Sequence, residues 1–104
     1  MKLRSAGQIC LAPDYVLVPA GSERKFAEQC VAAANRLYPD GLASVDYTSI
    51  INAGHFARLE RLVAEAGARG AEVLNVFKPG RSGGARTMMP VLVLNPPRDT
   101  LVMR

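Results

Sequence analysis

Residues 5–19, "SAGQICLAPDYVLVP", decide how the chain is read: a run of small residues, a cysteine, a proline and then an apolar stretch. Tyr15-Val16-Leu17-Val18 stands between Pro13-Asp14 and Pro19-Ala20-Gly21, and its β-branched, apolar character predicts a short buried strand. Upstream, Gly7 lets the backbone turn without a Cβ clash and bring peptide N–H groups close to a substrate oxygen. Pro13 stops any helix from continuing, so Cys10 falls on a loop that enters a strand. Loops carried by a rigid scaffold are where catalytic groups concentrate. A reactive cysteine needs an accessible sulfur, a stabilised thiolate and donors for the charge that develops on an attacked carbonyl, and this segment suits all three. The alternative on chemistry alone is that Cys10 is a small buried hydrophobe.

Outward from this stretch, Ser22 offers an N-cap to a helix over 23–37, with Phe26, Cys30, Ala33 and Leu37 at helical spacing. Tyr38-Pro39-Asp40-Gly41 ends it, and a loop follows over 39–49. A second helix is predicted over 53–69, with Phe56, Leu59, Leu62, Val63 and Ala66 on one stripe; Gly67 weakens it and Gly70 stops it. Ala71–Val76 reads as a strand, Lys78–Arg86 as a glycine-rich loop, and Met89–Leu94 as a further strand closed by Asn95-Pro96-Pro97. The expectation is an α/β segment in the order strand, helix, helix, strand, strand, with helices packed on an incomplete sheet and residues 1–104 forming one unit.

One hundred and four residues suffice for one small domain. Hydrophobic residues make up 49% and charged residues 21%, the balance of a soluble globular chain rather than a disordered one. The net charge of +4 is spread from Lys2 to Arg104 without the clustering of a nucleic-acid footprint, so no nucleic-acid partner is expected. No apolar run approaches the roughly 18 residues that span a bilayer, and Met1-Lys2-Leu3-Arg4 leads into Ser, Ala, Gly and Gln instead of a signal peptide's apolar region. A cytoplasmic, membrane-free chain with two reduced thiols, Cys10 and Cys30, is expected.

The cysteine segment resembles the active-cysteine segment of the aldehyde dehydrogenase superfamily, whose members carry an Asn-x-Gly-Gln-x-Cys pattern. Its continuation, Cys-x-Ala-Pro-Asp-Tyr-Val, is similar to the branch that holds coniferyl and fatty aldehyde dehydrogenases. "YTSIINAGHFARLERLV" (47–63) resembles the helix that follows in those enzymes, and "MMPVLVLNPPRDTLVMR" (88–104) the strand before their Glu-Glu-Ile-Phe-Gly-Pro segment. The resemblance covers nearly the whole chain. It implies that Cys10 is the nucleophile, that its backbone N–H forms half of an oxyanion hole, and that NAD or NADP accepts a hydride from a small-molecule aldehyde. It also implies that His55 and Arg58 approach the cofactor ribose. Ser5 stands where the family usually has asparagine, and Gly54 replaces a commoner charged residue before His55.

The same resemblance implies that the cofactor domain, the second oxyanion donor and the water-activating glutamate lie outside these residues. The chain is therefore expected to be a truncated piece of a catalytic domain, inactive and not binding cofactor alone. The alternative is a non-catalytic remnant acting as a self-associating module. In either case exposed strand edges and apolar faces favour a homo-oligomer. Gly80–Arg86 lacks the Gly-Lys-Ser/Thr ending and following helix of a phosphate loop. Cys10 and Cys30 lack two further ligands at usable spacing for a metal. A Cys10–His55 dyad requires a contact in space that sequence does not show. Cys30, on an apolar helix stripe, reads as core packing, and Lys78, Arg81 and Arg86 as a solvated loop.

Overall fold

A computed structural model describes residues 3–10, 12–44, 47–77 and 86–104. Helix α1 runs Glu23–Leu37 and helix α2 Ala53–Ala68; strands β1, Glu72–Asn75, and β2, Val91–Leu94, form an antiparallel pair. Both helices and both of the later strands thus stand close to where the pattern of apolar residues places them. Short 3-10 turns at Arg4–Gly7, Gly41–Ala43 and Leu101–Met103 complete the order. The expected loop over 78–86 lies outside the described residues except for Arg86.

The strand expected at Tyr15–Val18 does not form. The segment has no regular structure, and Tyr15, Val16 and Leu17 are 72%, 57% and 88% exposed. A run of β-branched residues becomes a strand only where another strand satisfies its N–H and C=O groups and a surface covers one face. Among the described residues the sheet has two strands, β1 and β2, and neither pairs with this segment. The observed order is helix, helix, strand, strand.

Register within the pair is Glu72↔Leu94, Val73↔Val93, Leu74↔Leu92 and Asn75↔Val91. A further bond from the Val76 N–H to the Pro90 carbonyl, 2.9 Å, lengthens the ladder. Helix α2 reaches β1 through a tight reversal. Gly70 adopts φ +99°, a conformation that disfavours any residue with a Cβ. That geometry lets the Ala71 N–H bond the Ala66 carbonyl at 3.0 Å and the Gly70 N–H bond the Gly67 carbonyl at 3.1 Å. Two carbonyls orphaned at the helix end are satisfied in this way.

Helix α1 is rotated by about one position relative to its expected stripe. Ala27 and Ala34 are buried, whereas Leu37 is 69% exposed. Two contacts set the rotation. The Asn35 side-chain amide donates to the Val76 carbonyl at 2.8 Å, and Tyr38, just past the helix, packs on Tyr47 and Phe77. Ser22 occupies the N-cap position without capping through its hydroxyl; the Glu23 carboxylate instead accepts from the Gly21 N–H at 2.9 Å. Arg24 and Glu72 form a surface ion pair at 2.7 Å between α1 and β1, of a kind worth about 0–1 kcal/mol.

The core gathers where these elements end. Ala34, Tyr47, Val76 and Phe77 are buried together, with Leu3, Tyr38, Leu42, Met89 and Leu92 packed around them. Ring centroids of Tyr38–Tyr47 and Tyr47–Phe77 lie 5.7 and 5.5 Å apart in edge-on geometry. At the far end, Thr100 is fully buried with its hydroxyl donating to the Pro97 carbonyl at 2.6 Å. The Leu101 N–H donates to Glu65 of α2 at 3.0 Å, and Arg69 pairs with Asp99. No helix of the described residues is long and apolar enough to cross a membrane.

Burial, and secondarily the Tyr38 phenol beside it, pushes the Tyr47 hydroxyl from 10.0 up to about 12. The folded state therefore holds the Tyr47 proton more tightly than the unfolded chain does. This contribution is complete below pH 10 and is lost as pH rises through about 12. Urea unfolding across that window is expected to show a falling midpoint in the wild type. In Tyr47→Phe the part of the fall due to Tyr47 disappears, together with the phenolate absorbance transition that runs to about pH 12. An identical pH profile in the two proteins contradicts the assignment.

Candidate functional site

The backbone before Cys10 is unusual. Ser5, Ala6 and Gly7 take φ of 49°, 51° and 77° in succession, a left-handed turn that only the glycine adopts freely. Each of the two non-glycine residues costs about 1–2 kcal/mol there, or about 2–4 kcal/mol together. Non-glycine residues held in such conformations cluster at functional sites. The glycine whose freedom the sequence demanded at position 7 is indeed used with a positive φ.

Gln8 holds this turn. Its backbone N–H and its side-chain Nε2 both donate to the Ser5 carbonyl, at 3.0 and 2.9 Å. Nε2 also donates to the Ser49 carbonyl at 3.1 Å, while Oε1 accepts from the Ile51 N–H at 2.9 Å. At about 0.5–1.5 kcal/mol net per bond, three side-chain bonds offset strain of the size just given. Beyond Gln8, the Ala12 N–H bonds the Ile9 carbonyl at 2.9 Å and closes a turn that presents Cys10 to solvent.

Residues 49–51, which receive Gln8, are fixed from the other side as well. The Ile50 N–H donates to the Arg86 carbonyl at 2.9 Å, the Arg86 guanidinium donates to the Ile51 carbonyl, and the hydroxyls of Ser49 and Thr87 meet at 3.3 Å. Asn52 then starts α2: its Oδ1 accepts from the His55 N–H at 2.8 Å. Such a cap is worth about 1 kcal/mol. It also compensates for Gly54 in the first turn. His55 and Arg58, three positions apart, share one face of the helix.

A groove of about 290 Å³ results, lined by Gln8, Ile50, Ile51, His55, Arg58 and Leu59. The structure thus brings together His55, Arg58 and the loop of Cys10, with Gln8 as the link; Cys10 lies two residues along and is not itself a lining residue. No hydrogen bond joins Cys10 to His55 among the described residues. Among the described residues no three histidine, cysteine or acidic side chains cluster as metal ligands. Gln8 and Asn52 are the residues whose roles the sequence reading left unassigned. For Asn52 the signal was present, a strong N-cap residue directly before the helix. For Gln8 the signal was its place in the Gly-Gln-x-Cys pattern, two residues before the cysteine.

The groove tests whether a dinucleotide fits. Pockets that enclose a small ligand span about 300–1,000 Å³, so this one suits a ribose or a single phosphate and not a whole dinucleotide. Isoleucine and leucine give it apolar walls, while the imidazole and guanidinium supply donors for hydroxyl or phosphate oxygens. The residues present fit one end of such a cofactor.

Comparison with known proteins bears on the family of the chain. The model of the aldehyde dehydrogenase family matches residues 1–104. The chain is 40% identical over 106 aligned positions to a coniferyl aldehyde dehydrogenase of Pseudomonas sp. strain HR199, covering 99% of this chain and 22% of that protein. It is 36% identical over 63 positions to aldehyde dehydrogenase family 3 member A2 of Mus musculus, covering 60% of this chain and 13% of the relative. The same identity over 63 positions relates it to the dimeric NADP-preferring aldehyde dehydrogenase of Canis lupus familiaris, covering 60% and 14%. The chain thus spans about a fifth of the length of the Pseudomonas relative. No solved structure matches it.

The two cysteines differ in exposure. Cys10 is exposed, whereas Cys30 is half-buried on α1 and burial pushes its thiol pKa up, leaving less thiolate at any given pH. Alkylation of the native chain followed by peptide mapping is expected to label Cys10 first. Preferential labelling of Cys30 contradicts the assignment.

Proposed function

We propose that this chain, which belongs to the aldehyde dehydrogenase family, supplies the nucleophile of an NAD(P)-dependent oxidation of an aldehyde to a carboxylic acid. The observation that carries the reading is the exposed Cys10, held on a turn that Gln8 ties to the groove of His55 and Arg58. Coniferyl aldehyde, named for the Pseudomonas relative, is the aldehyde class favoured.

In the proposed reaction the Cys10 thiolate attacks the aldehyde carbon, forming a C–S bond as the carbonyl π electrons move to oxygen. The Cys10 backbone N–H donates to that oxygen. His55 and Arg58 would hold the sugar or phosphate end of the dinucleotide, whose nicotinamide, when bound, accepts the hydride released from the same carbon. The product on Cys10 is a thioester. Water attacks its carbonyl, the thiolate leaves, and the acid is released with Cys10 restored. A second oxyanion donor and the base that activates water belong to parts of the family's proteins that these residues do not include.

An activated ester such as p-nitrophenyl acetate delivers an acyl group to a thiolate without any hydride step, and so isolates the role of Cys10. Acetylation is expected on Cys10 and is absent in Cys10→Ala. With aldehyde and NAD⁺ or NADP⁺, the 104-residue chain alone is expected to form no reduced cofactor. One missing oxyanion donor already lowers the rate by about 10²–10³. Acetylation elsewhere than Cys10 overturns the nucleophile assignment. Cofactor reduction that depends on Cys10 overturns the inactivity of the isolated chain.

Self-association belongs to the same proposal. Tyr15, Val16 and Leu17 present a consecutive apolar ridge to solvent, and among the described residues both strands of the two-stranded sheet have an unpaired edge. A second copy of the chain is the occupant proposed. Light scattering over a dilution series is expected to show species above 11.2 kDa, and a lone monomer at high concentration contradicts it.

A further inference from the structure

We infer that Gln8 is a positioning residue: its side-chain amide holds the turn bearing Cys10 in register with the first two turns of α2, where His55 and Arg58 stand. The inference rests on the reading of Cys10 as nucleophile. Three features of the structure converge on it. Every hydrogen-bonding atom of the Gln8 amide group is engaged: Nε2 by the Ser5 and Ser49 carbonyls, Oε1 by the Ile51 N–H. Its partners belong to one strip 41 to 43 residues away and to the strained turn directly before it. All of its partners are backbone groups, so it fixes the path of the chain rather than the rotamer of a neighbour.

A rigid turn matters for the chemistry because the attacking sulfur and the groove must keep one geometry. The Ser49–Ile51 strip is itself bonded to Arg86 and Thr87 and leads directly into the Asn52 cap of α2. Gln8 therefore couples the cysteine turn to a strip that is already fixed. Glutamine is the suitable residue for this, since both donor and acceptor are required on one planar group. A glutamate at the same position keeps the acceptor, and once ionised it loses the donor.

Amide hydrogen exchange on the isotopically labelled full chain tests the coupling without invoking any reaction. The Ala12 N–H, bonded to Ile9 across the cysteine turn, touches no atom of the Gln8 side chain. In Gln8→Ala, exchange at both Ile51 and Ala12 is expected to quicken by about tenfold while Val76, in the core, keeps its rate. In Gln8→Glu, rates relative to wild type at the same pH are expected to be lowest in acid, where the protonated carboxyl donates to one of the two carbonyls. They should rise as pH passes up through the carboxylate range, at or below the reference pKa of about 4.3. His55 and Arg58 are the ionisable groups that share the groove with position 8; their cations stabilise a carboxylate there but cannot replace the donor to the two carbonyls.

Acceleration at Ile51 alone, with Ala12 unchanged, overturns the inference, because Gln8 then tethers the strip and not the cysteine turn. If Gln8→Ala loses the core as well, seen as faster exchange at Val76, the acid-to-neutral comparison within Gln8→Glu decides, and a flat relative rate overturns the inference. Acetylation of Cys10 is measured separately. Its failure removes the nucleophile reading, whereas unchanged exchange at Ala12 with a normally acetylated Cys10 removes only the positioning role.

Discussion

The mutual contact of Tyr38, Tyr47 and Phe77 is the interaction on which the rest of the structure depends. The three rings come from the end of α1, from the segment before α2, and from the residue that follows the β1 ladder. A pair of four-residue strands is at best marginal alone, and the buried face of α1 offers little more than Ala27 and Ala34. The rings supply the missing volume, and edge-on aromatic pairs add about 0.5–1.5 kcal/mol each beyond the area they bury. Gly41 shows how tightly the site is closed. It sits at φ +58°, and a Cβ placed there would lie 3.4 Å from Phe77.

From that cluster the structure reaches the cysteine through one short strip of chain. Tyr47 is anchored at both ends, its ring in the core and its hydroxyl donating to the Met88 carbonyl at 2.9 Å. Residues 49–51 then run between Arg86 and Thr87 on one side and Gln8 on the other. The strip ends at Asn52, which caps α2 and sets the direction of His55 and Arg58. Core, cysteine turn and groove are thereby linked by hydrogen bonds to backbone atoms, which leave little freedom to slip.

Much of this was legible in the sequence. Periodicity gave α1 and α2 to within a residue at either end, because an apolar face at helical spacing and a glycine stop are local signals. The four-residue strands before and after the glycine-rich loop were equally plain. Tyr15–Val18 misled because β propensity describes how a side chain suits a pleated, half-covered surface, and among the described residues no such surface covers it. The face of α1 was misplaced by one position because its orientation is set by Asn35 and Tyr38, through contacts made far along the chain. Among the candidate site residues, Cys10, His55 and Arg58 were reached through the family resemblance of their motifs. The bonds of Gln8 across 41 and 43 residues follow no periodicity, so neither its partners nor the coupling it makes could be read from the string of residues.

The central claim is that the cysteine turn and the start of α2 form one unit through the Gln8 side chain. Nuclear Overhauser contacts of the Gln8 side-chain amide protons in the labelled chain test it most directly. The account predicts strong contacts from these protons to Ser49 and Ile51 as well as to Ser5. Contacts confined to Ser5, with none reaching Ser49 or Ile51, would contradict it.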